Sequence, residues 1–292
     1  RALAPRPADV VTDRPFRFGV TNGAAADMAS WTAAARRAES LGYATFLLPD
    51  TLNTPAPLPA LAAAAAATTT LRVGTWVLCD ALRNPRTLAW EVASLDQLSG
   101  GRVELGLGAG RPDAEQDARR LGVPYGSPGE RIARLAESVT LIRHLLDGGE
   151  EGFPAAAGPV PILIAASRPR LLRYAARHAD TIAFGWPPTT TADQARTLID
   201  EVREAAPDRI DELELATGLI AVGDERHPWL QRMGLDPSSL AAAGAVTVAT
   251  GTPRQMADTL LRRRDHLGLS YVTVPYQSAE AFAPVSDLLA GT

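Results

Sequence analysis

The sequence predicts an α/β fold, a single-domain (β/α)8 TIM barrel. Short apolar runs alternate with amphipathic segments eight times between Arg17 and Leu289, the pattern of strand–helix units around a parallel sheet. No linker divides the 292 residues into two domains, and one barrel commonly takes a chain of this length. The main glycine cluster, in Leu98 to Gly110 (LSGGRVELGLGAG), follows the fourth strand. A doubly wound dinucleotide fold, the runner-up, would place it after the first.

Residues 1–15 read as a leader and 16–292 as the barrel domain. Strand one, Arg17 to Val20, ends at Thr21, Asn22 and Gly23, a strand-to-loop composition. Asp27 or Ser30 can cap a helix whose apolar residues Trp31, Ala35, Ala38 and Leu41 recur at helical spacing. Strand two, Ala44 to Leu48, ends at Pro49, Asp50 and Thr51. A carboxylate there is either a turn residue or an acid at the active face of a barrel. An alanine-rich helix over 57–70 leads to strand three, Leu71 to Leu78, which carries Trp76 and is followed by Cys79 and Asp80. A helix over 87–98 follows Asn84-Pro85.

Strand four is the glycine stretch. Val103, Leu105 and Leu107 share one face, and Glu104, Gly106 and Gly108 share the other. The emptied face permits either close packing of chain on strand or space for a flat ligand. Residues 111–127 form a polar loop with a helical patch, a candidate lid. The helix over 128–147 places Ile132, Leu135, Val139 and Ile142 on one stripe, and strand five covers 161–165. Ser167 suits the cap of the next helix and Pro169 its first turn, with Arg168 and Arg170 alongside. Such a helix start offers free N–H groups to an anion. Strand six, Asp180 to Phe184, runs into Gly185-Trp186. A helix over 191–205, strand seven (213–222), a second lid-like stretch (223–251) carrying His227, Trp229 and Met233, a helix over 252–267, strand eight (271–275) and a closing helix (279–289) complete the chain.

Composition excludes several function classes. A net charge of -4 leaves no excess of cations to neutralise a phosphate backbone, which argues against a nucleic-acid partner. The longest apolar run, 58–67, is too short to span a bilayer, and no secretion signal is evident, so a cytoplasmic protein with no membrane partner is expected. Cys79 is the only cysteine, which leaves neither an internal disulfide nor a multi-cysteine metal site. The chain contains no lysine, so Schiff-base chemistry is absent. Its four histidines are scattered, and no metal site is expected.

Several blocks together resemble the luciferase-like monooxygenase superfamily, most nearly its F420-dependent branch: residues 60–78, Asn84-Pro85, AWEVASLDQLSGGRVELGLGAG (89–110), PGER (128–131), LLRYAARHADTIAF (171–184) and GTPRQMADTL (251–260). The resemblance implies a barrel carrying F420, alternatively FMN, at the carboxyl ends of its strands. The ring would lie near Asp50, Thr51, Leu78, Cys79, Asp80 and Gly108, with a non-proline cis peptide at Leu78-Cys79 or Cys79-Asp80. The phosphate would meet Ala109, Gly110, Arg111, Ala165, Ala166, Ser167 and Arg168. Asp50 and Arg111 are the catalytic candidates, while Asn22 and Trp186 are the substrate-pocket candidates. Three departures stand out: Thr51 where a histidine is usual, Ala165-Ala166 where glycines are usual, and a short connector before strand five. They keep open a barrel without cofactor, acting as a lyase, cyclase or isomerase through Asp50, Asp80 or Glu104, or a non-catalytic partner subunit. The expected partners are a small-molecule substrate and a second copy of the chain.

Overall fold

The computed structural model describes residues 14–223 and 228–292. In chain order the elements are β1 (Arg17–Thr21), α1 (Met28–Ser40), β2 (Thr45–Leu48), α2 (Pro57–Ala67), β3 (Arg72–Thr75), β4 (Leu78–Cys79), α3 (Pro85–Ser99), β5 (Val103–Gly108), α4 (Ala114–Leu121) and α5 (Pro128–Leu146). There follow β6 (Ile162–Ala166), α6 (Pro169–His178), β7 (Thr181–Phe184), α7 (Ala192–Ala205), β8 (Glu214–Gly218), β9 (Ala221–Val222), α8 (Pro228–Arg232), α9 (Pro237–Ala242), β10 (Val248–Ala249), α10 (Pro253–Leu267), β11 (Leu269–Pro275) and α11 (Ala279–Leu289). Most of the predicted leader, residues 1–13, and His227 lie outside the described residues.

The strands form a closed, all-parallel barrel. β1 pairs with β11 and β2, β2 with β3, and the series β5, β6, β7, β8, β11 completes the ring. Closure falls at β5, which pairs with both β3 and β4. These two are one barrel strand broken at Trp76 and Val77, where the chain steps inward and the peptide between the two residues is cis. The expected position of that bond is thus corrected by two to three residues. Strand seven is broken as well: β8 belongs to the barrel, whereas β9 leaves it to pair with β10.

Helix starts follow the sequence closely. Asp27, Ser127, Thr191 and Thr252 each accept an N–H from the third helical residue, in reciprocal capping boxes. Asn84 accepts from the amides of Arg86 and Thr87, and Pro85 occupies the first turn of α3. Ser167 is not a cap; α6 starts one residue later, from Arg168, without a side-chain cap.

Side chains alternate as a barrel requires. Val103, Leu105 and Leu107 point outward into the helix-facing core with Leu88, Val92 and Ile164. Inside, the amino end holds an ion network: Arg17 bridges Glu104 and Glu214, and Arg72 donates to Glu104 (2.8 Å). The Arg17 guanidinium lies 3.9 Å over the Tyr271 ring, whose hydroxyl is 2.6 Å from that of Thr45. Above this layer sit Leu47, Leu163, Ala183 and Ala216, and Trp76, Val77 and Ala165 pack at the carboxyl end. Glu104 is therefore at the end of the barrel opposite the mouth and is committed to two arginines, which corrects its candidacy as an acid or base.

Candidate active site

A cleft of about 520 Å³ opens at the carboxyl ends of β4, β5 and β6. Asp50, Leu78, Cys79, Gly108, Ala109, Gly110, Arg111, Ala165, Ala166, Ser167 and Arg168 all line it. Most residues assigned from the sequence to ring or phosphate binding are thus brought to one surface by three adjacent strand ends. The volume lies in the range of about 300–1,000 Å³ common for small-molecule sites.

The glycines of β5 have separate duties. A Cβ on Gly106 would fall 2.0 Å from the carbonyl oxygen of Thr75 and 2.9 Å from a Val77 methyl. Its missing side chain makes way for the inward step of the chain itself, so at this position the emptied face is filled by backbone and not left for a ligand. A Cβ on Gly108 would meet a Val77 methyl at 3.0 Å and make ordinary contacts with Ala165 at 3.8 Å and the Leu78 carbonyl oxygen at 3.9 Å, so this glycine forms part of the cleft floor. Gly110 has φ +84°, and a Cβ there would strike the Tyr125 hydroxyl and the Cys79 sulfur.

Three arginines border the cleft. Arg131, in the first turn of α5, is buried; its Nε donates to the carbonyl of Ala109 (2.9 Å), its Nη1 to that of Gly126 (2.8 Å), and its guanidinium covers the Tyr125 ring at 4.2 Å. Nη2 makes no hydrogen bond to the described residues and remains for an anion. Arg111 is half exposed and pairs with Asp113 at 2.7 Å, an interaction weak enough at the surface to yield to a ligand phosphate. Arg168 lies at the start of α6, whose first amides and dipole favour negative charge.

Asp50 is committed to the protein. Both its oxygens face Arg83 in a bidentate pair, Nη2 donating to Oδ1 at 2.8 Å, and Oδ2 also accepts the amide N–H of Cys79 at 2.8 Å. Its carboxylate, 7% exposed, ties the end of β2 to the turn after β4. Burial pushes the Cys79 thiol up, away from the thiolate form. The structure sets apart four other candidates. Thr51 faces its own loop, accepting the amide of Asn53. Asp80 is buried against α5, 3.5 Å from Arg134, and burial raises its carboxyl. Asn22, 3% exposed, folds back to accept the amide of Ala24 and borders neither the cleft nor a smaller chamber lined by Trp76, Phe184 and Gly218 across the barrel mouth, which corrects its assignment to the substrate pocket. Trp186 stacks on Phe184 (centroids 4.6 Å apart) and lines that chamber.

Sequence reasoning missed Arg83 and Arg131. Arg131 carried a readable signal, because it stands four residues before Leu135 on the buried stripe of α5, where an unexplained cation is unexpected. Arg83 carried none, since its pairing depends on how the chain turns after β4. Trp76 reads as a mid-strand core residue, and the break in that strand puts it at the mouth. The loop over 111–127 contains α4, which packs Ala114 and Ala118 against Cys79 and Tyr125.

The sequence pattern of the luciferase-like monooxygenase family matches residues 13–227. Among curated proteins, the chain is 33% identical over 232 residues to an F420-dependent glucose-6-phosphate dehydrogenase of Nakamurella multipartita, covering 70% of this chain and 67% of that one. It is 31% identical over 189 residues to the protein of the same name from Intrasporangium calvum, covering 56% and 57%. The matched stretch thus spans from over half to about two thirds of these relatives. Among solved structures, the coenzyme F420 dependent tetrahydromethanopterin reductase from Methanopyrus kandleri superposes with a TM-score of 0.73 at 18% identity, over 94% of this chain and 98% of that one, a likeness of fold.

Proposed function

The chain belongs to the luciferase-like monooxygenase family, and from that premise we propose that it is an oxidoreductase that holds coenzyme F420 in the 520 Å³ cleft. Hydride would pass between the coenzyme and a small organic substrate. The observation that carries this reading is the convergence of Gly108, Arg111, Arg131 and Arg168 on one cleft: a floor without side chains beside three cations, one of them buried with a free N–H edge. That donor set suits a flat ring joined to a phosphate. The names of the curated relatives favour F420; FMN, which also joins a tricycle to a phosphate, is the alternative.

The bound coenzyme would supply or accept the hydride, and the protein would orient it and exclude water. Arg131 and Arg168 would hold the phosphate, Arg111 a phosphate or a substrate anion. Asp50 would act as a positioning residue, fixing through Arg83 and the Cys79 amide the wall against which the ring rests. A cofactor-free acid–base route finds no support in the geometry. Asp50 is paired, Asp80 faces α5, and Glu104 is at the far end of the barrel.

We also propose a homodimer joined through α2 and α3. Trp90 and Leu98 stand 56% and 85% exposed there, with Leu58 and Ala62 lining the same groove. The same proposal includes a cytoplasmic location; among the described residues no helix is long and apolar enough to cross a membrane.

Equilibrium titration of the purified chain with F420 and with FMN tests the assignment. A Kd of about 1–100 µM for at least one is expected. Arg131→Met should raise it about tenfold by removing a charge-assisted bond. Absence of binding by both at about 100 µM would overturn the reading.

A further inference from the structure

A second cavity, of about 300 Å³, lies across the barrel mouth from the cleft. Trp76, the residue at the strand break, borders both spaces, its ring set edge-on to Tyr271 with centroids 6.0 Å apart. The chamber is walled by Trp76, Phe184 and Trp186, the last two stacked at an interplanar angle of 9°. The polar side-chain groups of its lining residues are the hydroxyls of Thr21, Thr247 and Thr273 and the indole N–H groups of Trp76 and Trp186, that of Trp186 buried without a hydrogen-bond partner. Of the hydroxyls, the first two already donate to the carbonyls of Val274 and Pro188, while that of Thr273 makes no hydrogen bond to the described residues. Among the described residues no charged side chain lines this chamber, whereas Arg111, Arg131 and Arg168 all line the cleft on the other side of Trp76.

The two spaces therefore differ in the charge they can take. An anion in the chamber would lose its water without gaining a cation. A neutral ring gains dispersion and apolar burial from the same walls. The walls match a small ligand: a cavity of about 150 Å³ holds benzene, so about two rings fit between them.

We propose that the chamber is the substrate site and that it takes a small, uncharged, planar organic molecule whose acceptor oxygen meets the Thr273 hydroxyl, and not a sugar phosphate. This deepens the hydride-transfer reading and rests on it for the meaning of the site, because the chamber adjoins the cleft and shares Trp76 with it as a border. It also separates the chain from the glucose-6-phosphate dehydrogenases it resembles in sequence.

Ligand-observed NMR titration of the full chain tests the inference with three probes: acetophenone, benzoate of the same size but charged, and glucose 6-phosphate. Acetophenone is expected to bind at least about tenfold more tightly than either anion. Gly218 lines the chamber and not the cleft, and a Cβ there would press on Thr273 Oγ1 at 3.3 Å and meet Trp76 at an ordinary 3.8 Å. Gly218→Val, which narrows the chamber further, should weaken acetophenone at least about tenfold, and the smaller Gly218→Ala should weaken it to a lesser degree. F420 affinity should stay within about twofold in both variants, since neither adds atoms to the cleft. Either anion binding as well as acetophenone and losing affinity in Gly218→Val as acetophenone does, no detectable acetophenone binding, or indifference of its binding to both substitutions would overturn the inference. If F420 fails to bind while the preference for acetophenone holds, the coenzyme assignment falls and the chamber's selectivity stands. If F420 binds and the preference fails, the reverse is true.

Discussion

Gly106 and Gly108 stand two residues apart on the same inward face of β5 and serve different neighbours. Gly106 admits a carbonyl of the adjoining chain, and Gly108 keeps the cleft floor bare. Their alanine variants should diverge accordingly. Gly106→Ala forces a methyl onto backbone at 2.0 Å and should cost about 3 kcal/mol or more in urea denaturation. Gly108→Ala meets only a side-chain methyl at 3.0 Å, should cost about 1 kcal/mol, and should weaken F420 binding more than stability. Equal stability losses would contradict the division. At this scale the sequence told which face was emptied but not by what it would be filled. Periodicity assigns a side to each residue, whereas the approach of Thr75 depends on a break in another strand. The same limit hid the partner of Asp50, since the turn that brings Arg83 to it is set by tertiary packing.

Among elements, the helices were the most legible, because caps and periodicity are local. The proposed cap Asp27 is observed, and α11 runs over the expected residues. Strands three and seven were each read as one run and are each broken. An apolar run looks the same whether it stays in one sheet or bends out of it. One inter-element joint offers a pH test. Glu39, near the end of α1, accepts N–H bonds from Thr69, Thr70 and Leu71 at 2.8, 2.7 and 3.0 Å, clamping the turn between α2 and β3. Burial alone would push its carboxyl up, but these bonds draw it down to about 2. A folded-state value below the unfolded one means stability that is present above about pH 4.5 and lost as pH falls toward about 2. Glu39→Gln should therefore lower stability by about 1 kcal/mol at pH 7, solvent screening included, and the gap from the parent chain should close near pH 2. A gap independent of pH would show that the charge is not what holds the joint.

Across the whole molecule, the barrel divides its labour between its ends. The amino end is closed by the Arg17, Glu104, Glu214 and Arg72 network, and the carboxyl end keeps the cleft and chamber. Closure and strand order were legible because eight alternations leave few arrangements. The split of the mouth by Trp76 was not, since it arises only when the ring closes around a broken strand. Outside the barrel, the apolar groove between α2 and α3 predicts that Trp90→Arg combined with Leu98→Arg converts a dimer to a folded monomer in light scattering; a parent chain already monomeric at about 100 µM would contradict it. The most direct test of the central assignment is a crystal structure of the chain grown with F420. Density for a flat tricycle over Gly108, with its phosphate on Arg131, is the expected result; density elsewhere, with the cleft closed by the protein's own side chains, would contradict it.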